Sequence, residues 1–393
     1  MLPLHGVNPL PQETRVIVIG GGFAGAATAW ALGQRNLGPG IIVEREPTPG
    51  VHASGRNAAL ARVVEADPVM RTLALRSVAH IRRFAEGRGE LMRSTGSLTL
   101  GSHGNLQYLE VAHDALRRAM VASELMPLRD ARQRFAFLER MQFEAALWCP
   151  TDGVVDIHAL LLMYLEQAKA GNFDLHTGAG VDRLLIAGDR VTGVAVGDTE
   201  IGADVVVDAT GAWAGLLTRE RSPLPLQPLR RHLYVSGPAT YVRRDWPYVW
   251  LLDGEAYLRP EGDGLLLSPC DETPWPPGVP PTEPATATLL AEKLSRCAPG
   301  LADLTLRRSW ACLRTFAPDR RPVIGPDPVL HGLYHVSGLG GSGMTASAAV
   351  GELMATAIAG TNPDWLDPAT IAPTRFSVPG KAHVPSDGHA RCS

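Results

Sequence analysis

The residues most suited to chemistry come early. Gly20-Gly21-Gly22-Phe23-Ala24-Gly25 has the spacing GxGxxG, directly after the β-branched run Arg15 to Ile19 and directly before an Ala-rich stretch reaching about Arg35. Gly20 permits a tight turn, Gly22 lets backbone approach a pyrophosphate, and Gly25 lets helix and strand pack closely. The helix start adds N–H groups and positive potential for the phosphates, with Phe23 and Ala24 in its first turn. Glu44 closes a second apolar run, Ile41 to Glu44, at the distance where an acid meets a ribose diol. Dinucleotide binding is the expectation, and these residues do not choose between flavin and nicotinamide.

Two further segments can serve the same ligand. Glu44-Arg45-Glu46 is followed by Pro49-Gly50 and then Ala53-Ser54-Gly55-Arg56-Asn57-Ala58-Ala59, read as a loop entering a helix. There Ser54, Gly55 and Asn57 can hydrogen-bond, and Arg56 can meet a phosphate or a flavin edge; an ordinary capped helix is the alternative. Near the other end, Ser337-Gly338-Leu339-Gly340-Gly341-Ser342-Gly343-Met344-Thr345 joins a strand to a helix, whose positive end can face a group that becomes anionic.

Elements must hold these residues together. The first two runs and the helix between them form a βαβ unit. Helical spacing over Arg71 to Phe84 (Leu75, Val78, Ile81, Phe84) and over Leu106 to Met120 predicts two amphipathic helices flanking a strand near Ser97 to Leu100, outside the nucleotide unit. Asp174 to Asp208 reads as short strands with turns at Gly188-Asp189 and Gly197-Asp198, returning to the first sheet through VVVDATGAW. Leu226 to Ser268 predicts a second, antiparallel sheet, Thr273 to Pro284 a Pro-rich loop, Ala285 to Cys297 a helix, and Leu333 to Ser337 a strand feeding the last helix. Asp152 and Asp156 are read as helix-capping and turn residues. The order implies an α/β chain with a discontinuous Rossmann-like domain (14–65, 145–225, 310–375), a second α+β substrate domain on an antiparallel sheet (66–144, 226–309), and a flexible tail (376–393).

Composition narrows the partners. A formal net charge of -3, from 37 Lys plus Arg against 40 Asp plus Glu, offers no basic face for nucleic acid. Five cysteines without CxxC spacing argue against a disulfide framework and a zinc site, and suggest a reducing compartment. The lead lacks a signal-peptide pattern, and Met344 to Gly360 is too short for a membrane span, so a cytoplasmic protein without a transmembrane segment is expected. Lysines are confined to Lys169, Lys293 and Lys381.

GGGFAGAATAWAL, VEREPTPGVHASGRNAAL, TDGVVDIHAL, VVVDATGAWA, WACLRTFAPDRRPVIG and HVSGLGGSGMTASAAVGE occur in the order seen in the D-amino-acid oxidase-like flavoproteins, the family of glycine oxidase, sarcosine oxidase and D-amino-acid dehydrogenases, and the chain resembles that family over nearly its whole length. Within it, LQPLRR, DWPYVWLLDGEAYLRP and LRTF are similar to D-arginine dehydrogenases. The resemblance implies FAD, a glutathione-reductase-type nucleotide domain and a sheet roofing the flavin. It adds Ala59, Val181, Gly211, Trp213 and Gly340 to Thr345 (Gly340, Gly341, Ser342, Gly343, Met344, Thr345) to the cofactor residues. It also implies that Arg314 grips a substrate carboxylate, a pairing guanidinium geometry favours, with Tyr257 and Arg231 (or Arg230) in the pocket. Where D-arginine dehydrogenases carry a glutamate and a histidine, this chain has Gly96 and Leu60, which points away from a cationic substrate. Cys312 in WACLRT sits where monomeric sarcosine oxidase joins cysteine to flavin; the other reading is a small buried cysteine, preferred here because relatives hold FAD without that bond.

The chemistry implied is FAD-dependent hydride transfer from a small D-amino acid or N-methyl amino acid, giving an imine that water hydrolyses. A 2-hydroxy-acid dehydrogenase and the flavin subunit of a multi-subunit amine dehydrogenase are the alternatives. No lysine falls in the segments where sarcosine oxidases activate oxygen, which favours a dehydrogenase; the acceptor stays open among oxygen, a quinone and a partner protein.

Overall fold

Val16 to Ile19 and Ile41 to Val43 are β-branched and buried, as strands inside a covered parallel sheet must be. In the computed structural model, which describes residues 9–86 and 91–376, strands Phe173–His176, Gly40–Val43, Glu13–Ile19, Thr199–Asp208 and Leu333–Ser337 lie side by side, all parallel. Alternate side chains separate two cores. Val16, Val18, Ile42 and Val207 meet helices Phe23–Gln34, Ile157–Ala170 and Ser347–Ile358. Ile17, Ile19, Ile41 and Val43 meet the meander of Arg183–Ala187 and Arg190–Val196, which folds at the expected turns Gly188-Asp189 and Gly197-Asp198. Both turn glycines have positive φ, +64° and +55°.

The second sheet runs in the order Thr273–Pro274, Gln227–Ser236, Gly264–Ser268, Ala256–Glu261, Tyr248–Leu251, Ser97–Gly101, Ala145–Cys149, Glu124–Pro127, with Leu306–Phe316 along the free flank of Gln227–Ser236. It is antiparallel except where Tyr248–Leu251 lies parallel to Ser97–Gly101. The sheet is therefore mixed rather than purely antiparallel, because Ser97–Gly101 enters from an earlier part of the chain instead of from the meander. A small third sheet, Leu60–Ala61, Gly153–Val155 and Met92–Arg93, joins the layers. The architecture is the α/β nucleotide domain with an α+β second domain that the sequence predicts.

Its boundaries shift in three places. Ala145–Cys149 and the whole of Leu306–Phe316, whose residues 310–316 are expected in the nucleotide domain, belong by pairing to the second sheet. The helix Pro68–Ala85, expected outside the nucleotide unit, packs against Ser347–Ile358: Val69, Leu73, Val78 and Ile81 continue the same core as Ala348 to Leu353, and Ala349 N donates to Ser77 Oγ at 2.9 Å. Its apolar stripe finds a partner in the nucleotide layer because the last helix is almost entirely small and buried on that side. The tail beyond Phe376 lies outside the described residues.

Helices Phe23–Gln34 and Ser347–Ile358 cross closely enough that a Cβ on Gly351 would stand 2.2 Å from Ala27 O. Gly351→Val is expected to lower stability by about 1–3 kcal/mol through overpacking. Denaturant midpoints check this, and an unchanged midpoint would contradict the close crossing.

Candidate active site

The turn after Glu13–Ile19 is built for close approach. Gly20 has φ +109°, and a Cβ there would lie 2.6 Å from Ala209 O; a Cβ on Gly25 would lie 1.9 Å from Gly20 O; one on Gly22 would lie 2.8 Å from Ser54 Oγ. Helix Phe23–Gln34 has no capping side chain on its own first residue. Instead Ser54 Oγ accepts the Phe23 N–H at 3.0 Å, and Glu44 accepts the Gly21 and Glu46 N–H groups at 2.7 and 2.8 Å. Each Glu44 oxygen keeps a lone pair for a hydroxyl donor. An elongated cavity starts here, with Arg45 over the Trp213 ring at 4.1 Å as one wall. It runs past Val181, Gly211, Arg56 and Asn57 to Cys312, Arg314 and the turn of Gly340, Gly341, Gly343 and Met344.

A buried charge cluster holds part of this wall. Asp208 accepts the Thr210 hydroxyl at 2.6 Å and the Gly215 N–H at 3.1 Å, fixing the loop that carries Gly211 and Trp213. Behind it His335, fully buried, hydrogen-bonds Asp327 at 2.7 Å and lies 3.7 Å from Asp208. Burial opposes charge on the imidazole, but the two carboxylates outweigh it and lift His335 to about 9. Burial likewise works against both carboxylates, yet His335 brings Asp208 and Asp327 below the usual carboxylate range.

The far end is set by strand register. Gln227–Ser236 pairs with Leu306–Phe316 so that Leu229, Arg231 and Leu233 stand opposite Arg314, Cys312 and Trp310. Arg314 donates to Tyr257 Oη at 3.2 Å. It lines both the long cavity and a smaller one of about 40 Å³, shared with Tyr257, Trp250, Leu60, Arg62 and Glu65. Burial raises the Tyr257 pKa, opposed by Arg314, so the phenol stays protonated. Burial also raises that of Cys312, opposed by Arg314 and Arg231, which keeps it a thiol.

Of the sequence candidates, Gly20, Gly22, Phe23, Ala24, Glu44, Arg45, Ser54, Arg56, Asn57, Val181, Gly211, Trp213, Cys312, Gly340, Gly341, Gly343 and Met344 line the long cavity. Ala59, Ser342, Thr345 and Tyr257 line the smaller one. Gly25 and Gly55 act through backbone packing, a Cβ on Gly55 lying 2.4 Å from Gly50 O. Arg231 shares the sheet face but turns its guanidinium to Asp271 O and Glu272, both at 2.8 Å, and lines neither cavity. Residues 53–59 do not enter a helix. Asn57 closes a turn by donating to Ser54 O and accepting the Ala59 N–H, both at 2.7 Å, and Ala59 at φ +62° turns the chain into strand Leu60–Ala61. The last helix begins at Ser347, after turns through Met344 to Ala346. Asp156 caps helix Ile157–Ala170 as expected, whereas Asp152 is fully buried, accepts from Ser97, Tyr248 and Val63 N, and is pushed up by burial to about 6.

The residues sequence reasoning missed are Arg62, Glu65 and Trp250, and the loop residues Gly278, Val279 and Pro280 against the long cavity. Arg62 and Glu65 pair through Nη2–Oε2 at 2.8 Å and Nε–Oε1 at 3.2 Å, with Arg62 4.0 Å from the Trp250 ring centre. The signal was an arginine inside the apolar run Ala58 to Val64, three residues before the glutamate that ends it.

The chain belongs to the FAD dependent oxidoreductase family (DAO), which matches residues 15–357. It is 28% identical to the glycine oxidase of Pseudomonas aeruginosa, covering 92% of this chain and 99% of that one. It is 23% identical to the mitochondrial pyruvate dehydrogenase phosphatase regulatory subunit of Mus musculus over 88% of this chain, and spans only 41% of that protein. Among solved structures, L-proline dehydrogenase from P. horikoshii superposes with a TM-score of 0.84 at 24% identity, covering 94% of this chain and 99% of that one. The protein is thus an FAD-dependent oxidoreductase in a family that includes amino-acid and amine oxidases and dehydrogenases. The glycine cradle at the helix start fits FAD. Among the described residues no helix is long and apolar enough to cross a membrane.

The charged state of His335 stabilises the fold in full below the free imidazole value of 6.5, and that contribution is lost as pH rises through about 9. Wild-type denaturant midpoints are expected to fall between pH 7 and 10 by more than those of His335→Asn, with FAD release over the same interval. Parallel pH profiles for the two proteins would refute the linkage.

Proposed function

We propose that the protein oxidises the carbon–nitrogen bond of a small amino acid, a D-amino acid or an N-methyl amino acid. The observation that carries this reading is the position of Arg314: a buried guanidinium, hydrogen-bonded to Tyr257 Oη, at the junction of the long cavity and the small one. A buried cation that makes no ion pair with a carboxylate among the described residues and that lines a cavity is suited to a ligand carboxylate, and guanidinium geometry lets it take both oxygens. The Tyr257 hydroxyl, protonated by burial, can donate to the same group.

In this reading Gly20, Gly22 and the helix start hold the pyrophosphate of FAD, Glu44 the ribose, and Cys312 with Gly340 to Met344 the flavin end. Bound FAD supplies a two-electron acceptor for hydride. Arg314 and Tyr257 fix the carboxylate, and the short cavity wall of Ala59, Leu60 and Trp250 limits the side chain. The substrate amine enters neutral; loss of the hydride and a proton leaves an imine, which water converts to a keto acid and ammonia, or to an amine for an N-alkyl substrate. Orientation of this kind is worth about 7–11 kcal/mol in favourable cases, so a strong general base is not required. Of the two described lysines, Lys293 donates to Pro269 O and Glu255 O, and neither lines a cavity, which supports a dehydrogenase with an acceptor other than oxygen.

Anaerobic addition of D-, L- and N-methyl amino acids should bleach the flavin of the purified protein, with slow recovery in air. Bleaching by 2-hydroxy acids alone would overturn the amino-acid assignment. Arg314→Met should reduce kcat/KM roughly 10- to 100-fold, the worth of a charge-assisted hydrogen bond, measured on the best substrate; unchanged kinetics would remove Arg314 from the site.

A further inference from the structure

The small cavity holds more charge than a carboxylate clamp needs. Its ionised lining residues are Arg314, Arg62 and Glu65, and Arg62 and Glu65 are only 7% and 3% exposed. Glu65 engages Arg62 through both oxygens, its backbone carbonyl accepts from Arg71 at 2.9 Å, and Ser342 Oγ lies 3.5 Å from Oε1. The Trp250 ring connects this pair to the clamp, 4.0 Å from Arg62 and 5.0 Å from the Tyr257 ring, nearly parallel to the latter at 22°. Trp250 Nε1–H is buried and has no hydrogen-bond partner among the described residues.

Charge balance then decides what can enter. Two guanidiniums and one carboxylate leave the empty cavity with one excess positive charge, which a single substrate carboxylate neutralises. A second carboxylate would leave an uncompensated anion among buried groups, and a basic side chain an uncompensated cation; both are costly. We propose that Glu65 is a specificity-determining residue: by occupying Arg62 it reserves the pocket for amino acids with one carboxylate and an uncharged side chain. Without the Glu65 charge, Arg62 becomes a second carboxylate anchor across the cavity from Arg314. The proposal rests on the reading of Arg314 as the carboxylate clamp.

The test uses the FAD-bound protein and simple carboxylates, read by perturbation of the flavin's visible spectrum at equilibrium. In the wild type, acetate should bind more tightly than malonate. In Glu65→Gln the malonate-to-acetate affinity ratio should rise tenfold or more, and kcat/KM should shift the same way from neutral to dicarboxylic amino acids. An unchanged ratio would overturn the proposal, since a purely structural Glu65 would weaken both ligands alike. Should Glu65→Gln fail to fold, wild-type preference for malonate overturns the proposal alone, and Arg62→Gln should lower the ratio further. A wild-type flavin that responds to neither carboxylate, and is bleached by no amino acid, refutes the clamp itself and the proposal with it.

Discussion

The structure depends on how little space lies between helix Phe23–Gln34 and its surroundings. Gly25 meets the Gly20 carbonyl on one side and Ala27 meets Gly351 on the other, so the helix is held between the strand turn and the last helix by contacts that a single Cβ would break. Because that helix cannot shift, its N-terminus is fixed at the end of Glu13–Ile19, and Ser54 and Glu44 can be positioned against it. The cavity is a consequence of this packing, with the residues that line it arriving from six other parts of the chain.

Charge buried away from water provides the second layer of order. His335 is held between Asp208 and Asp327, Arg62 is matched by Glu65, and Asp152 accepts three hydrogen bonds from separate elements. Each cluster ties a cavity segment to a rigid strand: Asp208 the Gly211 loop, Asp152 the backbone at Val63 beside Arg62. Such groups are costly alone and specific when matched, so they fix conformation more than they add stability. Removing one member leaves its partner without compensation.

Much of this was legible in the sequence. The glycine turn, both two-residue meander turns and the strand Leu333–Ser337 follow from local patterns that tertiary contacts do not override. Arg314 and Tyr257 were found through motif resemblance, and register brings them within hydrogen-bond distance. What escaped was long-range. Helix Pro68–Ala85 has an apolar stripe that does not say which layer it faces, and nothing local to Arg231 reveals that Glu272 draws it aside. Residues 53–59 carry helix-start residues, but the Asn57 side chain spends its hydrogen bonds closing a turn. The Arg62–Glu65 pair could have been suspected from charges within an apolar run, though not its neighbour Trp250, nearly two hundred residues away.

Among the described residues the chain passes between the two large sheets four times: before Ser97, after Cys149, before Gln227 and after Phe316. Four covalent crossings make the sheets poor candidates for hinged opening as separate bodies. Entry to a cavity between them therefore has to come from a surface segment that can move without dragging a strand. The stretch from Thr273 to Glu283 has that character: outside its two-residue pairing at Thr273–Pro274 it is loop, Val279 is half exposed, and Gly278 to Pro280 lie directly over the long cavity. Its anchors are polar and sit at its roots, where Arg230 meets Glu283 and His232 Nε2 accepts the Glu283 N–H at 2.9 Å. The crossings thus leave this short prolyl loop, rather than either sheet, as the covering of the long cavity that is least tied to a strand.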